Sequence, residues 1–115
     1  METNKRAKVR KHGYAKLLTV SGVPGYMRDL AEKGFRAELM EYVDWHQGIT
    51  QKIKVLPYEE SGIDQFKVII EVRWVKQREP TCSVGALIKE FPEESDRKCF
   101  EELLLYYQDI LMEPL

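Results

Sequence analysis

Two arginines four residues apart, Arg6 and Arg10, sit in the basic run Lys5-Arg6-Ala7-Lys8-Val9-Arg10. Each guanidinium presents a planar fork of donors that grips a phosphate through two hydrogen bonds or stacks on a purine face. A second short pattern follows at Asp29-Leu30-Ala31-Glu32-Lys33-Gly34. An aspartate there can accept from the N1–H and N2 amino edge of guanine, an edge that adenine lacks. Forked cations for phosphate and a carboxylate for guanine make a chemically coherent receptor for a guanine nucleotide.

Catalytic chemistry is poorly supplied. The two histidines, His12 and His46, stand in no metal-ligand or nucleophile arrangement. Cys82 lies in a strand-like pattern and Cys99 in a helical one, where buried and inert thiols are the ordinary outcome. The paired acids Glu59-Glu60, Glu93-Glu94 and Glu101-Glu102 read as loop, helix-start and solvent-face charges. Neither a phosphate loop nor a dinucleotide-binding glycine fingerprint is present. The expectation is a protein that is not an enzyme and needs neither metal nor cofactor.

The elements that must hold these residues belong to one domain. A chain of 115 residues, 43% apolar and 32% charged, can bury one core and is neither disordered nor fibrous in composition. The net charge of −1 conceals an asymmetry: residues 1–16 carry +5, and the remainder carries −6. A basic arm of residues 1–13 on an acidic body is a candidate anion site. The same arm could serve a nucleic-acid-binding module, but the acidic balance of the remaining chain counts against nucleic acid as a partner. Apolar runs such as Val68-Ile69-Ile70 and Leu103-Leu104-Leu105 are far too short to cross a bilayer, so no membrane partner is expected. The charged N-terminus predicts no secretory signal, and two cysteines suggest a reducing, cytoplasmic compartment.

Hydrophobic periodicity assigns most of the body. Lys52-Ile53-Lys54-Val55-Leu56 alternates with period two, as a half-buried strand does. Gln65 to Gln77 is rich in Val, Ile, Phe and Trp, and its length suits a bent or barrel strand. Glu59 to Asp64 fits the hairpin loop between them. Thr81 to Phe91 reads as a further strand in which Gly85 marks a bulge or a close approach. After Pro92 the period changes: Phe100, Leu103, Leu104, Tyr107, Ile110 and Leu111 draw one apolar face on a helix of about 93–112. Pro92, Glu93 and Glu94 suit its start, and Pro114 its end. Residues 14–46 remain open on periodicity alone. Met27, Ala31, Phe35, Leu39, Tyr42, Val43 and His46 fall at helical spacing. Equally, two strands can be joined by a tight turn at Ala31-Glu32-Lys33-Gly34, with Gly34 supplying a positive φ.

Taken in order, these motifs resemble the PilZ domain family, whose members bind cyclic di-GMP through RxxxR and [D/N]xSxxG. Arg6-x-x-x-Arg10 matches the first in full. Asp29-x-Ala31-x-x-Gly34 matches the second at the acid and the glycine, with alanine where the serine belongs. The segment from Gly25 to Arg36 is similar to the family's strand leading into its glycine turn. Glu71-Val72-Arg73-Trp74-Val75 and Val84-Gly85-Ala86-Leu87-Ile88 are similar to the next two signature strands, and Glu93 to Arg97 to the opening of its helix.

The resemblance implies a mainly β fold, a six-stranded antiparallel β-barrel with a C-terminal α-helix over residues 14–115. Its strands would lie near 14–20, 25–31, 34–41, 51–57, 65–77 and 82–91. It also implies the ligand, cyclic di-GMP, and a mechanism in which the arm closes onto the barrel. Arg6 and Arg10 would take phosphate and guanine, Asp29 would read a guanine edge, and Gly34 would shape the turn beside Ala31. Lys5 occupies a position where family members differ in the number of ligand molecules held. With no output domain attached, the ordered arm would signal through an unidentified downstream protein, as in bacterial motility or biofilm regulation. A PilZ-fold interaction module that no longer binds the nucleotide is the alternative.

Overall fold

Period-two alternation runs through the strands of the structure, a computed structural model that describes residues 14–112 and side chains as far as residue 108. Six strands form: β1 (Ala15–Thr19), β2 (Pro24–Arg28), β3 (Gly34–Leu39), β4 (Thr50–Pro57), β5 (Phe66–Arg78) and β6 (Thr81–Glu90). They close into an antiparallel barrel in the order β1-β2-β3-β6-β5-β4. One face of each strand points inward. Leu17, Met27, Leu39, Ile53 and Ile70 are fully buried there. Each such side chain contributes about 1.5–3 kcal/mol of transfer free energy against the entropy of ordering the chain.

The fold is the expected barrel with its helix, and residues 14–46 resolve in favour of strands. Leu39, Ala37 and Phe35 alternate inward on β3, and Ala37 faces Met27 of β2 across the sheet. The β4–β5 connection carries a short 3-10 turn, Glu59–Ser61, ended by Gly62 in the left-handed region at φ 72°. The β5–β6 connection contains a cis peptide bond at Glu79-Pro80.

Helix α1 (Glu94–Met112) covers the barrel end formed by the starts of β1 and β5 and the end of β6. Phe100 meets Phe66 and Phe91 at ring centroid distances of 6.3 and 5.4 Å, and Tyr107 takes the edge of Tyr14 at 5.0 Å. Asp96 fixes the first turn: its Oδ2 accepts from the Glu93 backbone N–H at 3.0 Å, and its Oδ1 accepts from the Lys67 N–H at 2.9 Å. One carboxylate therefore caps the helix and ties it to β5.

Candidate functional site

Asp29 stands just beyond the end of β2 with φ 51°, the left-handed region that only short polar side chains and glycine visit readily. That turn throws its carboxylate outward, where the side chain is 72% exposed. Oδ2 accepts from Arg36 Nε at 2.8 Å, and Arg36 stands on the outer face of β3. The rest of the β2–β3 connection is held by its backbone. Ala31 N–H donates to the Gly34 carbonyl at 2.9 Å, and the Lys33 carbonyl accepts from Ile88 N–H at 2.9 Å.

Gly34 corrects the sequence reading. The turn's positive φ is taken by Asp29, and among the described glycines only Gly22, Gly48 and Gly62 adopt one. Gly34 is required for a different reason: a Cβ there would run into the Ala86 carbonyl oxygen of β6. It lets β3 approach β6 closely at the mouth of the connection.

A second close approach places an aromatic ring beside this turn. Arg36 on β3 pairs with Gly85 on β6, and Gly85 pairs with Trp74 on β5, so the three occupy one row across the outside of the sheet. The inward-outward alternation of β5 would not by itself put Trp74 there. A register shift between Val72 and Trp74 makes Arg73 the extra residue and turns the indole outward. Gly85 then leaves room for the ring, because a Cβ at that position would collide with the indole. Trp74 is 39% exposed as a result. Of the two expectations for Gly85, a bulge or a close approach, the close approach is the one found there; the bulge lies opposite it on β5, at Arg73.

Asp29, Ala31, Lys33, Gly34, Arg36, Arg73, Trp74 and Gly85 together line a groove of about 390 Å³. That is within the ~300–1,000 Å³ of small-molecule sites. Its chemistry is an exposed carboxylate, an indole and three cations. Arg36 is engaged by Asp29, and Arg73 Nη1 lies 3.5 Å from Glu71 Oε2. Of the residues singled out from the sequence, Asp29, Ala31 and Gly34 are brought together here. Lys5, Arg6 and Arg10 lie outside the described residues. The root of their segment is placed, however: Tyr14 N–H donates to the Met27 carbonyl at 2.8 Å, two residues before Asp29.

Lys33, Arg36, Arg73 and Trp74 were not identified as site residues from the sequence. The one available signal was a tryptophan strand followed by a glycine strand, Trp74 and Gly85, whose pairing would leave a ring lying on bare backbone.

The other reactive groups lie elsewhere. Cys82 is fully buried in the barrel, and Cys99 is partly buried on α1. Burial, and then the carboxylates of Glu102, Asp64 and Asp96, push the Cys99 thiol up and keep it protonated. Burial likewise raises Tyr107 well above the ordinary phenol range, and neighbouring Tyr106 and Tyr58 add to it. Tyr58 is raised too, by burial and Tyr26, with Arg28 opposing. His46 is exposed in the loop before β4. Among the described residues no cluster of three or more His, Cys, Asp or Glu side chains is placed to hold a metal ion, and no helix is long and apolar enough to cross a membrane. No family model, no curated protein and no solved structure matches this chain.

Proposed function

We propose that this chain is a PilZ-type receptor for cyclic di-GMP, a non-enzymatic cytoplasmic adaptor that acts through a downstream protein. The observation that carries the reading is the meeting of the Asp29 carboxylate and the Trp74 indole in one groove with Lys33, Arg36 and Arg73. Guanine stacks on the indole, a contact worth about 1–3 kcal/mol per base. The Asp29 carboxylate accepts from its N1–H and N2 amino group. The Asp29–Arg36 pair is exposed and contributes no more than about 1 kcal/mol, so a ligand displaces it cheaply. Arg36 is then released toward a phosphate.

Chain geometry supports closure of the arm over this groove. Arg10 is four residues from Tyr14 and Arg6 is eight, spans of at most ~14 and ~28 Å. From β1 to β5 across β2, β3 and β6 is four strand spacings, roughly 19 Å. Arg6 can therefore span the row as far as Trp74, Arg10 can meet a ligand at its Asp29 side, and binding would order the segment into a new surface for a partner.

A PilZ-fold interaction module that does not bind the nucleotide is the second reading. Two observations favour it: Ala31 supplies no hydroxyl at the groove, and Asp29 already has an internal partner in Arg36. Calorimetric titration with cyclic di-GMP separates the two. Micromolar or tighter binding is expected, with no binding of cyclic di-AMP and a loss of about tenfold or more in Arg10→Ala and in Asp29→Asn. Absence of binding at hundred-micromolar ligand, by heat and by a second method, would overturn the receptor reading in favour of constitutive protein contacts.

A further inference from the structure

Beyond Trp74, toward the β5–β6 turn, lies a second cleft of about 400 Å³ that shares Arg36 and Trp74 with the first. Its walls are Lys76, Arg78 and Thr81, and its floor is Ser83. The register explains the arrangement. Glu38, Ser83 and Lys76 form the row next to Arg36, Gly85 and Trp74, so both rows face outward on β3, β6 and β5.

Ser83 is the informative residue. It is one of only two buried polar side chains among the described residues, 7% exposed, although it stands on the outer face of the barrel. The other, Thr19, is satisfied by Ser21 Oγ and the Val23 N–H. The Ser83 hydroxyl has no hydrogen-bond partner among the described residues, and it faces the cleft. Buried hydroxyls without a protein partner are uncommon and call for a reason.

The charges around it supply one. Lys76 lies 5.8 Å from the Trp74 ring centroid and forms no ion pair with the described residues, and neither does Arg78. The single carboxylate, Glu38, is neutralised by Arg28 at 2.6 Å. Cations without counter-charges, a donor hydroxyl at the floor and an aromatic wall are the components of a phosphate subsite beside a nucleobase platform.

We propose that this cleft is a phosphate subsite, in which Ser83 Oγ donates to a phosphoryl oxygen while Lys76 and Arg78 balance its charge. It deepens the receptor reading, on which the identity of the nucleotide rests; the subsite itself rests on Ser83 and the unpaired cations. Trp74 is then shared, with a base against the indole and phosphate groups received on both sides of it.

The test uses the full chain, labelled with nitrogen-15, and two variants. Lys76→Ala/Arg78→Ala removes exposed charges, and Ser83→Ala removes one oxygen, so both should keep the fold. Inorganic pyrophosphate is titrated first, and GMP and guanosine next. Pyrophosphate and GMP are expected to shift the amide signals of Lys76, Arg78, Thr81 and Ser83, and guanosine only the Trp74 indole. In the double variant the pyrophosphate shifts should disappear. Absence of pyrophosphate shifts in the wild type, or their survival in the double variant, overturns the subsite.

Calorimetry with cyclic di-GMP then separates this inference from the receptor reading. If the wild type binds, the double variant should weaken it about tenfold while keeping discrimination against cyclic di-AMP. Unchanged affinity in the double variant overturns the subsite and leaves the receptor standing. If the wild type does not bind cyclic di-GMP, the receptor reading falls and the pyrophosphate titration alone decides the subsite.

Discussion

A single methyl group decides whether β3 can lie against β6 at the mouth of the groove. Gly34 meets the Ala86 carbonyl so closely that a Cβ has no space, and the obstacle is backbone rather than a side chain that could rotate away. Gly34→Ala is therefore expected to destabilise the fold by about 1–3 kcal/mol, the range for overpacking, seen as a thermal midpoint several degrees lower. Asp29→Gly should be neutral or stabilising, since φ 51° costs glycine nothing. Equal tolerance of both substitutions would refute this division of roles. The motif residues Asp29 and Gly34 were thus legible in the sequence, but their backbone roles were not. A positive φ is ordinarily assigned to the glycine of such a pair, and only the pairing partner reveals a close approach. Trp74 was hidden for a related reason. Its outward direction depends on a bulge at Arg73, and local sequence does not fix the register of two strands.

At the scale of elements, α1 illustrates what local pattern can and cannot decide. Phe100, Leu103 and Tyr107 are buried as the three- and four-residue spacing requires, and the helix starts within one residue of its expected position. The same spacing from Met27 onward misleads. Met27, Phe35, Leu39 and Val43 are separated by eight, four and four residues, even steps that suit a strand face as well as a helical one. Tertiary closure settles the question, because β2 and β3 fill the barrel between β1 and β6. Loss of the helix contact can be measured directly. Leu103, fully buried under the barrel end, should cost about 2–5 kcal/mol when changed to alanine. Leu105, 59% exposed two residues away, should change stability by no more than about 0.5 kcal/mol. Denaturant unfolding of the two variants makes the comparison, and similar losses would mean that α1 is docked by a different face.

Across the whole molecule, closure of the sheet gives the two ends of the barrel different tasks. The β2–β3 turn with Asp29, Tyr14 at the start of β1 and the covering helix share one end; the β5–β6 turn beyond Arg78 lies toward the other. The outer face of β3, β6 and β5 joins them, with Trp74 between its two clefts. At the helix end, Tyr14, Tyr106 and Tyr107 form edge-to-face contacts, and Tyr58 stands close enough to Tyr107 to raise it. Both Tyr58 and Tyr107 hold their protons more tightly in the fold than the ordinary phenol, whose pKa is near 10, chiefly because burial disfavours phenolate. Folding therefore gains a contribution that is complete below pH ~10 and is lost as pH rises beyond it, since the unfolded chain then releases protons that the folded one retains. Thermal unfolding followed from pH 8 to 11.5 should show a midpoint that falls once pH passes ~10. Tyr107→Phe, which has no phenolic proton to lose at that position, should fall less steeply over the same interval. Parallel curves for the variant and the wild type would mean that the Tyr107 hydroxyl is as easily ionised in the fold as in water, and that the helix does not seal this end of the barrel.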